Sequence, residues 1–481
     1  MERIAIIGMG TSGMAVAAAH AKETNANDFK IDCYDSQLSF GRGYPYRDDS
    51  NEIILNLKTG RISYNYQDND DLINWHKEKG LPIEEYTSRP VFGEYTRDRL
   101  KDTLDEINAN VIHEKITSVQ YLPETNTWEL TTESGVKNEY DRVHLCCGEL
   151  GQKDIYKLKG NPGYINEVYP IDKTLSEIDS DQSVCVIGSG LTAVDVTTYL
   201  LNVRNVQNIC MFSRTNVVPT VRVAPVDIKI EHISLDIVED IIKDGNGIIT
   251  FEQFDELFEK ELENQKINYP EFISKHMRGG VEGLKVNIDE PEDLAVVQAL
   301  LPPLNMVFNR VWDSMPDTDR VKFRKKYHPF MCLNRSPLPQ PSAEILIEAA
   351  ESGRFKFIEG VNDIEYGCGV FDIIKVNPDG SDDVLAQSDI VINATGLDMY
   401  MTDIKEINPL LTQMINKRYI VVDKYGGLTL RPEDLTSISP RYGTMDNLHI
   451  HGVLASGVQY RNNSTMMIQT MAHKLIKDLY K

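Results

Sequence analysis

"VCVIGSGLTAVDV" (Val184–Val196) reads as a short buried strand that runs into Gly188 and Gly190, then a helix-forming run with a third small residue at Ala193. This is how a dinucleotide-binding turn is built. One glycine allows the sharp bend, the second lets a pyrophosphate approach the backbone, and the third small residue lets helix and strand pack closely. The chain has already opened with the same device. In "RIAIIGMGTSGMAV" (Arg3–Val16), Gly8, Gly10 and Gly13 complete G-x-G-x-x-G, and "MAVAAAHA" is a strong helix former. Two such turns predict an α/β fold with two Rossmann-like dinucleotide-binding domains.

The residues around each turn suggest what it binds. The first backbone N–H groups of each helix, at Thr11 and Ser12 and again at Leu191 and Thr192, have no intrahelical partner and suit phosphate. After the first turn, "KIDCYD" ends at Asp35, where an acid receives a ribose hydroxyl. After the second, "NICMFSR" ends in Ser213 and Arg214, and a basic residue there suits a 2′-phosphate. The expected cofactors are therefore FAD at the N-terminal site and NADPH, rather than NADH, at the inserted one. Two such sites in one chain point to electron transfer between cofactors. Hydride transfer from nicotinamide to flavin needs two rings stacked at about 3–3.5 Å rather than an acid, a base or a nucleophile. No Ser-His-Asp or paired-carboxylate constellation stands out, in keeping with that chemistry. The expected function is an FAD-dependent oxidoreductase that takes a hydride from NAD(P)H and uses O₂ to hydroxylate a small molecule. A reductase with another acceptor shares the same motifs, as does a nucleotide-binding sensor or interaction protein without turnover.

Composition narrows the partners. The 481 residues are 41% hydrophobic and 26% charged, which is a globular balance. The net charge of −23 repels phosphate backbones, so nucleic acid is not expected as a partner. No apolar run approaches the ~20 residues of a membrane span. The chain enters its first strand without a cleavable signal pattern, and a cytoplasmic location is the simplest reading. The seven cysteines are odd in number and form no C-x-x-C pair, so neither a disulfide framework nor a zinc site is expected. Adjacent Cys146 and Cys147 are a poor redox pair, because neighbours rarely close a relaxed disulfide.

A second repeat follows each turn. "VIHEKITSVQYLPETNTWELTTESG" and "YDRVHLCCGELG" read as turn-separated strands and then a buried strand ending at Gly148. "VNDIEYGCGVFDIIKVNPDGSDDVLAQSDIVINATG" does the same and ends at Gly396. Cys146 and Cys147 thus stand where Ala394 and Thr395 stand, as small packing residues. Near the C-terminus a short strand reaches Gly452. A helix then starts at Asn463 or Ser464, where its positive end would suit an anionic flavin ring.

These stretches resemble the two-dinucleotide-binding-domain flavoproteins, and among them a bacterial FAD/NAD(P)-binding group, some of whose members are flavin-dependent hydroxylases. The matching pieces are "IAIIGMGTSGMA", "FGRGYPY", "ILNLKTGRIS", "INWHKEKG" and "RPVFGEYTRD", in that order, then "VCVIGSGLTAVD", "FSRTNVVP", "NRSPLPQP" and "INATG". The resemblance implies FAD at Gly8, Gly10, Gly13 and Asp35, with Arg42 and Asn56 in nearby loops and Gly452 beside the flavin tail. It implies NADPH at Gly188, Gly190, Ala193 and Arg214. Related flavoproteins carry Gly-Asp near the C-terminus, whereas Gly452 is followed here by Val453.

The expected domain plan is 1–175 and 397–481 for FAD, 176–224 and 336–396 for NAD(P), and a helical insertion at 225–335 as a substrate cap. Inside the insertion, "KDGNGIITFEQF" imitates a calcium loop. Asp244, Asn246 and Gly247 fit, but Ile242 and Gln253 occupy the two positions that need an oxygen ligand and a bidentate carboxylate. A turn between two helices is the expected reading, with no metal. "RKKYHPFMCLNRSPLPQP" reads as a proline-broken loop. In it, His328 is a candidate proton carrier and Arg335 a candidate anion holder, against local hydrogen bonds that merely pin the segment.

Overall fold

The computed structural model describes residues 1–25, 28–36, 38–65, 67–460 and 464–481. The chain divides into two compact units, Met1–Gly151 with Leu397–Lys481, and Gln152–Gly396. The first unit opens with β1 (Glu2–Ile7), α1 (Thr11–Glu23) and β2 (Phe29–Tyr34). Helices α2 (Asp71–Lys79) and α3 (Arg89–Glu106) follow, then β3 (Asn110–Ile112), β4 (Ile116–Leu122), β5 (Thr127–Thr132), β6 (Lys137–Tyr140) and β7 (Arg142–Leu145). The second unit contains β8 (Tyr164–Ile165), α4 (Ile171–Thr174), β9 (Ser183–Ile187), α5 (Leu191–Asn202) and β10 (Asn208–Phe212). Its insertion runs through α6 (Leu235–Asp244), α7 (Phe251–Asn264), α8 (Tyr269–His276), α9 (Gly280–Asp289), α10 (Glu292–Leu300), α11 (Asn305–Ser314) and α12 (Asp317–Asn334). After it come α13 (Gln340–Glu351), β11 (Phe355–Phe357), β12 (Asp363–Gly367), β13 (Val370–Val376), β14 (Asp382–Ser388) and β15 (Ile390–Asn393). The chain returns to the first unit with α14 (Ile404–Ile407), α15 (Pro409–Asn416), β16 (Leu430–Arg431), β17 (Thr436–Ser439), β18 (Gly443–Ile450) and α16 (Thr465–Leu479).

Each unit carries the expected sheet. In the first, the order is β16-β17-β18-β7-β1-β2-β3, with β18, β7, β1, β2 and β3 parallel to one another. In the second, the order is β11-β10-β9-β15-β8, parallel throughout. Strands β1 and β9 are apolar on both faces, as parallel strands covered by helices must be. The turn-separated blocks form two three-stranded antiparallel sheets, β4-β5-β6 and β12-β13-β14. Residues 152–175 group with the second unit, because β8 pairs with β15 there.

The insertion is helical, and its core is aromatic. Phe254 of α7 stacks on Phe258, and the rings of Phe308, Phe323 and Tyr327 meet Phe254 edge-on or tilted. This packing overturns the loop expected around His328: α12 runs unbroken through Pro329. Phe323, Tyr327, Phe330 and Met331 share one helical face and are all buried. Burying such side chains contributes about 1.5–3 kcal/mol each, which outweighs the ~3 kcal/mol cost of one interior proline. The calcium-like stretch is a turn between α6 and α7. Gln253 closes a capping box there with Thr250, the N-cap of α7. No single described helix is long and apolar enough to cross a membrane.

Candidate coenzyme-binding sites

The first turn is held by backbone bonds to the strands on either side. The Gly8 N–H donates to the Tyr34 carbonyl at 2.8 Å, and the Cys146 N–H donates to the Ile7 carbonyl at 2.8 Å. Gly8 has φ +94°, a conformation L side chains rarely adopt, and an added Cβ would lie 3.0 Å from the Cys146 carbonyl. A Cβ on Gly13 would overlap the Gly8 oxygen. Helix α1 starts at Gly10 with no side-chain cap, so its first N–H groups are left for a ligand.

Asp35 has a different part from the one expected of it alone. Its Oδ2 accepts the Met9 N–H at 2.7 Å, and its Oδ1 accepts the Ser36 N–H at 2.7 Å and the Ser39 hydroxyl at 2.5 Å. The carboxylate therefore locks turn and following loop together, with a lone pair on Oδ2 left for a ribose hydroxyl. That loop folds back over the turn. The Gly41 N–H donates to the Met9 carbonyl at 2.9 Å, and a Cβ on Gly10 would come 2.9 Å from Gly43 Cα. Arg42, between them, is buried and paired with Asp48, with Glu94 at 3.8 Å and no partner for its Nε among the described residues. Asn56 lies on a strap in which Leu55 and Thr59 donate to Thr87 and Glu85.

The C-terminal pieces meet the same turn. A Cβ on Gly452, which has φ +69°, would overlap Ser12 Oγ of α1. A Cβ on Gly148 would sit 3.2 Å from Val453, the residue that replaces the expected aspartate. Ser464 is the N-cap of α16 and accepts the Met467 N–H at 3.3 Å, so the helix end assigned to the flavin is partly capped by the chain itself. Asn463 lies outside the described residues. These close approaches leave a narrow cradle of small residues at the start of α1, which fits a dinucleotide pyrophosphate.

The second turn repeats the skeleton. The Gly188 N–H donates to Phe212 at 2.8 Å, and the Ala394 N–H donates to Ile187 at 2.9 Å. Gly188 has φ +112°, and its Cβ would meet the Ala394 carbonyl at 2.6 Å. Cys146 and Ala394 thus do hold equivalent places. Burial drives both neighbouring thiols upward, Cys147 to about 12 and Cys146 well above its ordinary value, so they stay protonated packing groups. Thr395 is turned back onto Asn393, which accepts its hydroxyl at 2.7 Å, and Gly396 follows at φ +87°. Helix α5 begins at Gly190 without a side-chain cap, and Leu191 and Thr192 are half-exposed in its first turn. Where Met9 bonds Asp35, Ser189 Oγ donates to Ser213 Oγ at 2.8 Å. Asn216 accepts the Ser213 N–H at 2.6 Å and ties the loop to Ile358. Arg214 is exposed and makes no ion pair among the described residues.

The ring of His328 reaches Cys332, one helical turn along α12, at 3.5 Å, and the Arg335 guanidinium lies over Phe308 at 5.2 Å. Asn334 pins the returning chain by accepting the Thr220 hydroxyl at 3.1 Å. Sequence reasoning missed Gly41, Gly43, Ser189 and Asn216. The first two were visible as the doubled glycines of "FGRGYPY". The last two act through hydrogen bonds that no spacing rule announces.

Four buried histidines, His20, His144, His449 and His451, gather at the sheet that carries the first turn. His144 of β7 faces His449 of β18, and its Nδ1 lies 3.0 Å from His451 Nε2. Arg142 donates to His449 Nε2 at 2.7 Å, which leaves His449 Nδ1–H to donate to the Asp434 carbonyl at 3.1 Å and fixes the neutral tautomer. His20 of α1 packs edge-on against His144, and neither of its ring nitrogens has a hydrogen-bond partner among the described residues. Burial lowers His449 to about 4 and His20 and His451 to about 3, with Arg142 adding to the effect at His20 and His449.

A family model described as FAD-NAD(P)-binding matches residues 5–150. No curated protein matches the chain in sequence. Among solved structures, the chain is similar over its whole length to a reduced ornithine hydroxylase from Pseudomonas aeruginosa, with TM-score 0.57, 13% identity and coverage of 100% of this chain and 99% of that one. An ornithine N-hydroxylase from Kutzneria sp. 744, solved with reduced FAD, NADP⁺ and L-ornithine, gives TM-score 0.55 at 11% identity and covers 100% and 99% of the two chains. The L-lysine 6-monooxygenase of Pseudomonas syringae gives TM-score 0.55 at 12% identity, with coverage of 99% and 98%. The α/β fold with two dinucleotide-binding units is shared with these proteins.

Proposed function

We propose that the protein is an FAD-dependent oxidoreductase that takes a hydride from NADPH and uses O₂ to hydroxylate a small molecule. The observation that carries this reading is the pair of glycine turns, one per unit. They are alike in backbone and opposite in the residue that ends the following strand, Asp35 in one and Ser213-Arg214 in the other. Bound FAD would supply the two-electron acceptance and the oxygen chemistry. The chain's own residues bind and orient. The free N–H groups at the start of α1, with Ser12, receive the FAD pyrophosphate, and Asp35 holds its ribose. The start of α5 receives the NADPH pyrophosphate, and Arg214 favours a 2′-phosphate. Ornithine and lysine, named for the structural relatives, are both primary amines, and a chain of net charge −23 draws cations toward itself. A primary amine is therefore the substrate class to test first.

The test is anaerobic mixing of the FAD-loaded protein with NADPH and with NADH, followed by oxygen and a panel of primary amines. The expected result is bleaching of the flavin band, faster with NADPH, and then hydroxylated amine formed in step with coenzyme consumed. Flavin that stays yellow under NADPH overturns the redox reading. Coenzyme consumed without oxygen insertion for any amine turns it into a reductase.

A further inference from the structure

The helical insertion touches the loop that ends β10. A Cβ on Gly279, in the connection between α8 and α9, would lie 2.8 Å from the Thr215 oxygen and 3.3 Å from the Asn216 oxygen. The Gly280 N–H donates to that same Asn216 carbonyl at 2.8 Å. This contact is backbone to backbone, and glycine is what permits it: a side chain at 279 would push the two loops apart, and Gly280 adopts φ +75°. Arg214 precedes one side of the contact and Arg278 precedes the other. Both are exposed, and neither has a hydrogen bond or ion pair among the described residues. Asn216 holds the β10 side rigid through Ser213 and Ile358.

We infer that the insertion completes the coenzyme site, with Arg278 acting beside Arg214 as a second cationic contact for the 2′-phosphate of NADPH. The inference rests on the NADPH reading above and deepens it. The end of the second strand is where the adenosine ribose lies in this fold, and a basic residue there accommodates the 2′-phosphate. One arginine at this place is an ordinary feature. Two arginines from separate elements, brought to one backbone contact, give a dianionic phosphate two donors, each able to bond in a bidentate fashion. The insertion thereby has a task in coenzyme choice, and Arg278 is a specificity-determining residue that no glycine motif reveals.

The test is calorimetric binding of 2′,5′-ADP and of 5′-ADP to the purified full chain, which reads the phosphate contact without turnover. The wild type is expected to prefer 2′,5′-ADP. Arg278→Gln is expected to weaken 2′,5′-ADP by about ten-fold and to leave 5′-ADP within about two-fold, with Arg278→Lys in between. Arg214→Gln is the companion variant. If it removes the preference while Arg278→Gln keeps it in full, the insertion has no such task and the NADPH reading stands. If the wild type shows no preference for 2′,5′-ADP, both fail. A melting curve for each variant separates lost contact from lost fold, and Arg278→Lys keeps the test valid should the glutamine variant melt early.

Discussion

The two glycine turns share a skeleton and differ in what stands around it. In each, the first glycine donates to the end of the second strand at 2.8 Å, and the residue after the returning strand donates to the end of the first at 2.8 or 2.9 Å. Over the middle glycine they part. Gly10 is roofed by Gly43, whereas among the described residues nothing beyond its own local backbone comes within 4 Å of where a Cβ on Gly190 would be. At the third position the first turn has Gly13, with no room for a methyl group, and the second has a fully buried Ala193. A turn built into its own chain tolerates no added atom. The second turn faces open space at its middle glycine.

This contrast is easiest to break at Gly13. Gly13→Ala puts a Cβ onto a backbone oxygen that cannot move without unseating β1, and the first unit is expected to lose its fold, with little soluble protein recovered. Ala193→Gly, the reciprocal change, is expected to cost about 1 kcal/mol as a helix-propensity loss, readable as a small shift in melting temperature. If Gly13→Ala melts like the wild type, the close-packing account of the first turn is wrong.

Acid should separate the units next. His20, His449 and His451 of the first unit have native values near 3 to 4 against an unfolded value near 6.5. The unfolded chain therefore takes up protons first. The stability due to keeping these rings neutral is whole above about pH 6.5 and is lost as pH falls toward about 4. The slope approaches about 1.4 kcal/mol per pH unit for each group. In the second unit, burial lowers His276, with partial relief from Asn287. Hydrogen exchange followed by mass spectrometry between pH 7 and 4.5 should show peptides of β7 and β18 losing protection before those of β9 and β15. Simultaneous loss would deny the histidine cluster its part.

At the middle glycines the expected effects are smaller and of different kinds. Gly10→Ala presses on Gly43 and should lower stability by about 1–3 kcal/mol. Gly190 already has φ −80°, which alanine adopts freely, so Gly190→Ala should melt like the wild type and yet bind NADPH at least about ten-fold more weakly. Equal melting losses in both variants would erase the distinction between a roofed and an open turn. The smallest effect is expected at α7. There Thr250 caps the helix with its own side chain, so Thr250→Ala should cost about 1 kcal/mol and leave coenzyme binding untouched.

Much of this architecture was legible because its signals are local. Strand, glycines and helix lie within about a dozen residues of each other, and the chemistry of a tight turn dictates which residue types can stand there. The repeat ending at Gly148 and Gly396 was visible for the same reason, since small residues must stand where two backbones meet. The region around His328 was misread. Pro329 is a strong local signal for a break, and the aromatic packing that overrides it comes from Phe254 and Phe258 of α7, far away in sequence. Asp35 was placed correctly at its strand end. Its bonds to Met9 and Ser39 depend on how the following loop folds back.

By itself, then, the sequence determined two mononucleotide-type sheets, their glycine turns, and an acid at one strand end with an arginine at the other. Each follows from hydrogen-bonding and steric demands that act over a few residues. Only the tertiary structure decided that Gly43 closes over Gly10, that four histidines share one dry core, and that Gly279 carries Arg278 to the loop of Arg214. These are meetings of segments widely separated along the chain. They are selected by the burial of apolar surface and the satisfaction of backbone groups across the whole fold, which no local pattern encodes.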